Sequence, residues 1–285
     1  MKAIKRITAL ALCALMLLGL LSGCGEKKQG DEKFVLNVSV CNVINSLDPA
    51  MNTDTDADSV FYALYENLMR ESDDGSGEVM LTNGMAKEYT EETNYDGTVT
   101  YRFTLRSTAR WSDGEKVTAD DFVYAWQRLA DPATNSPNHS LMSVVAGYDE
   151  VRETGNKAKL QVSAKDKSTF VVTLSAPCAY FIEGICTAVA TMPLRRDLTE
   201  NGGGFDTPDL VSNGAYHVSA WTKSSELTAA RNDEYYEARL VGPDELHFIF
   251  TANADEAWQL YEAGDIDGVR NRYQELIYIL SLIHI

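Results

Sequence analysis

Basic residues are scarce in this chain. Lysine and arginine number 25 against 42 aspartates and glutamates, for a formal net charge of −17 at pH 7. A surface that negative repels phosphate backbones and anionic headgroups, so no nucleic-acid partner is expected. Histidine is rarer still, with four residues at positions 139, 217, 247 and 284 that form no cluster in sequence. There is no Gly-x-Ser-x-Gly elbow, no His-Glu-x-x-His pair and no glycine-rich phosphate loop. Asp54, Asp56 and Asp58 begin like a calcium loop, but Ser59 stands where that loop needs glycine and Tyr65 where it needs glutamate. No catalytic constellation remains, and we expect no enzyme, no metal and no cofactor. Cysteines number five. Cys13 and Cys24 lie in the N-terminal segment, which leaves Cys41, Cys178 and Cys186. An odd remainder is not a disulfide framework. Cys178 and Cys186 either pair or are two small buried residues, and the second reading is the simpler.

Long apolar runs are almost absent too. The longest opens the chain. Lys2, Lys5 and Arg6 precede Ile7–Leu21, which is nearly unbroken in its apolar character and is followed by Ser22-Gly23-Cys24. The run falls short of the ~20 residues that span a bilayer. A charged start, a short apolar core and small residues before a cleavage point describe a secretory signal peptide over residues 1–23. Leu21-Ser22-Gly23-Cys24 resembles the bacterial lipobox. That resemblance implies that Cys24 is acylated, becomes the mature N-terminus and anchors the protein to the outer face of the cytoplasmic membrane or in the periplasm. The polar stretch Glu26–Glu32 then reads as a disordered tether covering residues 24–33. At the other end, Leu280–Ile285 resembles the translation of a sequencing-library adapter. Residues 280–285 are therefore expected to be read-through rather than protein, the alternative being a natural amphipathic tail.

Between these ends the pattern is mixed α/β. Phe34–Val40 is apolar and β-branched, which predicts a strand. Val60, Phe61, Leu64, Tyr65 and Leu68 share one face of a helix expected over 56–69, with Asp54, Asp56 and Asp58 where N-cap and first-turn carboxylates are favoured. Ser72–Gly77 reads as a turn. Val99, Tyr101, Phe103 and Leu105 alternate with polar residues behind the Asp96-Gly97 turn, which predicts a half-buried strand. Thr118 and Asp121 form a box-like start to a helix that presents Phe122, Trp126 and Leu129 and ends at Asp131-Pro132. Strands are expected at Thr169–Leu174, Gly214–Ala220, Glu226–Arg231 and Glu245–Thr251. Asn201–Gly204 reads as a flexible loop. A last helix, Ala254–Ala263, is capped by Gly264 and turns Ala257, Leu260 and Tyr261 inward. Trp111 and Trp126 read as core. His217 and His247 sit inside predicted strands, where a hydrogen-bonded histidine is the usual case.

Several motifs recur in order. They are Ser46-Leu47-Asp48-Pro49, Trp111-Ser112-Asp113-Gly114, Val117–Trp126, Asp131-Pro132, Ser136-Pro137, Asn213-Gly214-Ala215-Tyr216 and Ala263-Gly264-Asp265-Ile266-Asp267. Together, from about Phe34 to Arg272, they resemble the oligopeptide-binding subgroup of the solute-binding proteins of ABC importers. The resemblance implies an α/β fold of the type II periplasmic-binding kind, with two lobes around a cleft and an extra domain inserted in the first. Lobe I would comprise residues 34–67 and 192–278, and the inserted domain residues 68–189. The second lobe would be missing from this chain, and without it the first is expected to fold poorly by itself. The implied function is an extracellular receptor that closes its cleft on a peptide and delivers it to ABC permease subunits, acting as a monomer. The alternatives are a sensing or adhesion lipoprotein of the same fold, or a cargo that is a dipeptide, a metal chelate or an oligosaccharide.

The resemblance also points to binding residues. The segment just after Ser-Leu-Asp-Pro offers a backbone edge to an extended ligand; here it is Thr53-Asp54-Thr55. For the side chain of Asp54 we expect helix capping, and for the backbone of Thr53 and Thr55 ligand contact. Asn271 matches a position whose amide faces the ligand, with an exposed loop asparagine as the competing reading. Two departures stand out. Asn138 replaces a frequent tyrosine, with His139 beside it, and Ala254 replaces a frequent acidic residue. Asn213-Gly214 is read as structural, a turn using glycine's positive φ.

Overall fold

A computed structural model describes residues 33–73, 78–200 and 204–268. The expectations for the signal segment, Cys24, Asn271 and residues 280–285 lie outside the described residues, as do those for 74–77 and 201–203. Ten strands are described: β1 (Val35–Cys41), β2 (Met69–Asp73), β3 (Val79–Asn83), β4 (Ala86–Thr93), β5 (Val99–Leu105), β6 (Val162–Asp166), β7 (Thr169–Leu174), β8 (Tyr216–Thr222), β9 (Glu226–Arg231) and β10 (Glu245–Thr251). The described helices are α1 (Asp58–Leu64), α2 (Ala119–Ala130), α3 (Tyr148–Thr154), α4 (Arg196–Glu200) and α5 (Ala254–Ala263).

The strands form two four-stranded sheets and one hairpin. The first sheet has the order β1-β10-β9-β8, with β1 parallel to β10 and the other pairs antiparallel. It is built from the two ends of the described chain. Leu36, Val38 and Val40 lie opposite Leu246, Phe248 and Phe250, so one apolar face runs across both strands. The second sheet, β4-β5-β7-β6, is antiparallel throughout and comes from the middle of the chain. β2 and β3 pair as a separate hairpin.

The alternation in β5 is realised as expected, with Val99, Tyr101, Phe103 and Leu105 all buried. Helix α2 lies over this sheet. Its start is a capping box: Thr118 and Asp121 exchange side chain–backbone contacts, and the Thr118 N–H donates to Asp121 Oδ2 at 2.7 Å. Its apolar face packs on β7, where the Phe170 ring meets Phe122 at 5.7 Å and Trp126 edge-on at 5.1 Å. Trp111 and Trp126 are both fully buried, as core residues should be.

Four expectations need correction. The helix predicted over 56–69 spans only Asp58–Leu64, because tertiary partners claim the chain beyond it. The Leu64 carbonyl accepts from the Gly214 N–H at 2.8 Å, Tyr65 is already extended, and the Asn213 side chain takes both the N–H and the C=O of Glu66. Neither Asp54 nor Asp56 caps the helix: the N-cap is Ala57, and Asp54 Oδ1 instead accepts from the Asp56 N–H at 2.8 Å in a turn ahead of it. Tyr261 faces outward with Trp258, whereas Ala257 is buried. Gly214 does not have positive φ. Its requirement is space, since a Cβ there would lie 2.5 Å from the Leu64 backbone carbon.

Candidate functional site

In open α/β sheets, ligands gather beyond the carboxyl ends of parallel strands. Here that place is the end of β1 beside the end of β10. Asn42 follows β1 with φ 92°, a left-handed conformation in which asparagine is enriched among non-glycine residues. Its N–H donates to the Thr251 carbonyl at 3.0 Å, so the turn is fixed to the end of β10. Its side-chain amide donates to Asp54 Oδ2 at 3.1 Å, so the same residue holds the segment that returns past it. Residues 43–46 and 51–54 line a hollow of about 590 Å³, measured with the solvent it opens to. Val43 and Met51, 44% and 40% exposed, give it apolar rims.

The Ser46–Pro49 motif anchors this loop from below. Leu47 is fully buried, and its carbonyl accepts from the Tyr65 hydroxyl. Burial, then the neighbouring Asp48 carboxylate, push that phenol far above its usual range, so it stays a donor. Asp48 meets Arg128 of α2 in a two-pronged ion pair, with 2.9 Å to Oδ1 and 2.6 Å to Oδ2. Asp48 Oδ1 also accepts from the Ala50 N–H, starting the short turn Pro49–Met51. The Ala50 carbonyl accepts from Ser136 Oγ at 2.5 Å, and the Asn52 carbonyl from Asn138 Nδ2 at 2.6 Å. Asn52 Nδ2 in turn reaches Asp58 Oδ1 at 2.6 Å.

Thr53-Asp54-Thr55 emerges from this scaffold. Among the described residues, no hydrogen bond engages the N–H or C=O of Thr53 or the N–H of Thr55; the Thr55 carbonyl accepts from the Asp58 N–H at 3.3 Å. Both threonines are exposed. Both carboxylate oxygens of Asp54 are engaged within the loop. The Asp54 side chain thus serves the loop and not the helix cap expected of it, and among the described residues the main chain is open at both groups of Thr53 and at the N–H of Thr55. Asn271 lies outside the described residues. The motif before it docks on the other edge of β1: Asp267 Oδ2 accepts from the Asn37 N–H at 2.8 Å, and Gly268 bridges Val38 in parallel.

Sequence reasoning missed Asn42, Arg128 and Ser136 as builders of this site and noted Asn138 only as a departure. Ser46–Pro49 and Ser136-Pro137 were both legible as motifs. Nothing in either showed that they meet.

Two other polar features belong to the scaffold. Glu66 is buried against Arg70 and accepts from the Tyr235 hydroxyl. Burial holds its carboxyl above the usual range, with Arg70 opposing. His217 does not meet the expectation of a hydrogen-bonded histidine: its Nδ1 is buried with no partner among the described residues, and burial lowers its pKa. His247 Nε2 lies 3.6 Å from Glu245 Oε2, close enough for an ion pair if the ring is protonated but too far for a hydrogen bond. Cys41, Cys178 and Cys186 are free thiols. Among the described residues, no group of three or more His, Cys, Asp or Glu side chains is arranged to hold a metal ion.

The family profile of bacterial extracellular solute-binding proteins, family 5 Middle, matches residues 81–281. The oligopeptide-binding protein OppA of Bacillus subtilis is 31% identical over 277 residues, covering 92% of this chain and 49% of the relative. The periplasmic murein peptide-binding protein MppA of Escherichia coli is 30% identical, covering 96% of this chain and 51% of its own length. The crystal structure of Haemophilus influenzae OppA in complex with RPPGFSPFR superposes with a TM-score of 0.75 at 32% identity, over 84% of this chain and 46% of that one. The chain thus spans about half the length of the curated relatives it matches. Its mixed α/β fold is that of this part of the solute-binding proteins, and the chain belongs to the bacterial extracellular solute-binding proteins of family 5.

Proposed function

We propose that the protein is an extracellular solute-binding receptor that takes up peptides and hands them to the permease subunits of an ABC importer. Its role is binding, not catalysis. Cys24 carries the lipid anchor, and the monomer is the working unit. Residues 34–67 and 192–278 form one wall of the cleft, residues 68–189 the inserted domain, and the second wall belongs to the part of the relatives that this chain does not span. Thr53, Thr55 and Asn271 face the ligand.

The observation that carries this reading is the main chain at Thr53. A peptide recognised without regard to side chains must be held through its own N–H and C=O groups, as an added strand is. Thr53 offers one donor and one acceptor, both unused among the described residues, on a segment fixed at Ala50, Asn52 and Asp54. A free edge that is already ordered loses little entropy when a ligand arrives. Closure of the second wall is then a population shift driven by contacts available only when both walls meet the ligand.

Thr53→Pro tests the edge directly in the protein expressed from its complete gene. It removes the N–H while Asn52, at φ −67° and ψ 126°, already has the backbone that precedes proline comfortably. Affinity for alanine peptides, measured calorimetrically, should fall about tenfold, the value of one ordinary hydrogen bond at the upper end of its range. Thr53→Ala, which keeps the N–H, should bind as the parent does. Equal affinity in the proline variant would remove Thr53 from the site.

A further inference from the structure

We infer that Asn138 is a positioning residue for the ligand edge: its side-chain amide sets the path of the main chain that presents Thr53. The inference rests on the reading of Thr53–Thr55 as that edge. Asn138 lies 86 residues beyond Asn52, outside the loop it holds. Its Nδ2 donates to the Asn52 carbonyl at 2.6 Å and approaches the Ala50 carbonyl at 3.4 Å. Both partners are acceptors only, which fixes the nitrogen, and not the oxygen, on this side of the amide.

The place of this contact is what gives it leverage. The Asn52 carbonyl belongs to the peptide unit whose N–H is that of Thr53. Holding the oxygen holds the plane of that unit, and with it the direction in which the Thr53 N–H points. Other contacts fix the neighbouring units, among them the Asn52 N–H donating to the Pro49 carbonyl at 3.4 Å and the Met51 N–H to the Asp48 carbonyl at 3.0 Å. Asp48 Oδ1 holds the Ala50 N–H, Ser136 Oγ holds the Ala50 carbonyl, and Asn52 Oδ1 accepts from the Asp54 N–H at 3.2 Å. None of these touches the Asn52–Thr53 peptide unit; Asn138 does. Asn138 is itself held, since its N–H donates to Ser136 Oγ at 3.0 Å and its carbonyl accepts from the Leu141 N–H at 3.0 Å. A leucine or alanine at 138 would leave the Asn52 carbonyl to solvent. An aspartate would oppose one oxygen to another.

A merely structural role and a positioning role differ in what they move. The test is amide hydrogen exchange read by mass spectrometry, together with alanine-peptide affinity, on the parent, Asn138→Ala and Asn138→Gln proteins from the complete gene. Exchange at the hydrogen-bonded amides of residues 50–52 and 54 should rise about five- to tenfold in Asn138→Ala, the ratio set by one lost hydrogen bond. Exchange in β5 and β10 should not change, and affinity should fall in step with the loop. Asn138→Gln keeps the amide on a longer stem and should lie between the other two. Unchanged exchange at those amides, or an equal rise in β5 and β10, overturns the inference. If Asn138→Ala binds as the parent does while Thr53→Pro does not, the inference fails and the edge stands. If neither substitution alters affinity, the edge itself is wrong.

Discussion

Asp121 begins α2 with its carboxyl held up at about 6. Burial is the main cause, and the hydrogen bonds from Thr118 and Trp111 oppose it. A carboxyl whose pKa is raised on folding binds its proton more tightly in the native state. Its contribution to stability is therefore full below the ordinary aspartate range and is lost as pH rises through about 6. Thermal unfolding of the parent should show a decline from about pH 4 to about pH 6 that Asp121→Asn flattens. Glu66, raised in the same direction, is present in both proteins and cancels in the comparison. Parallel pH profiles for the two proteins would count against the assignment. Residues of this kind show what sequence can and cannot reveal. The Thr118-x-x-Asp121 spacing announced the capping box, because a cap is local. The partners of Asp48 and Asn52 lie 80 and 86 residues away in sequence, and no local pattern points across that distance. His217 shows the reverse error: its place in a strand was legible, and its missing Nδ1 partner was not.

At the scale of elements, burial decides what was legible. β7 alternates because one face meets α2 through Phe170, and β5 because Tyr101 and Phe103 pack on Phe181; their boundaries fall within a residue of expectation. β4 went unread because seven of its eight residues are exposed, so it carries no apolar period. The overlong helix has the opposite cause. Tyr65 and Leu68 are buried at helical spacing, but they are buried by an extended chain crossing Asn213-Gly214. That crossing makes Gly214 the tightest joint between α1 and β8. A methyl group there would sit 2.5 Å from Leu64 C and 2.6 Å from Ala63 O, both of them backbone atoms that cannot rotate away. Gly214→Ala should lower stability by more than about 2 kcal/mol, in the upper range for overpacked positions. The urea midpoint reads this directly, and a midpoint equal to the parent's would show that the two segments can separate at little cost.

At the scale of the whole molecule, the two four-stranded sheets sort the sequence by region. The first takes its strands from 35–41 and 216–251, the second from 86–105 and 162–174. This brings the carboxyl ends of β1 and β10 together and leaves an ordered, unpaired stretch of main chain beside them. The ordered set of motifs foretold the family. The open backbone at Thr53 is the feature on which the proposed use of that fold rests. The most direct measurement is native mass spectrometry of the protein expressed from its complete gene and purified without added ligand. A peptide receptor should carry a ladder of adducts with the masses of short peptides, all lost on unfolding. A clean unliganded mass that persists after incubation with a peptide mixture would contradict peptide binding.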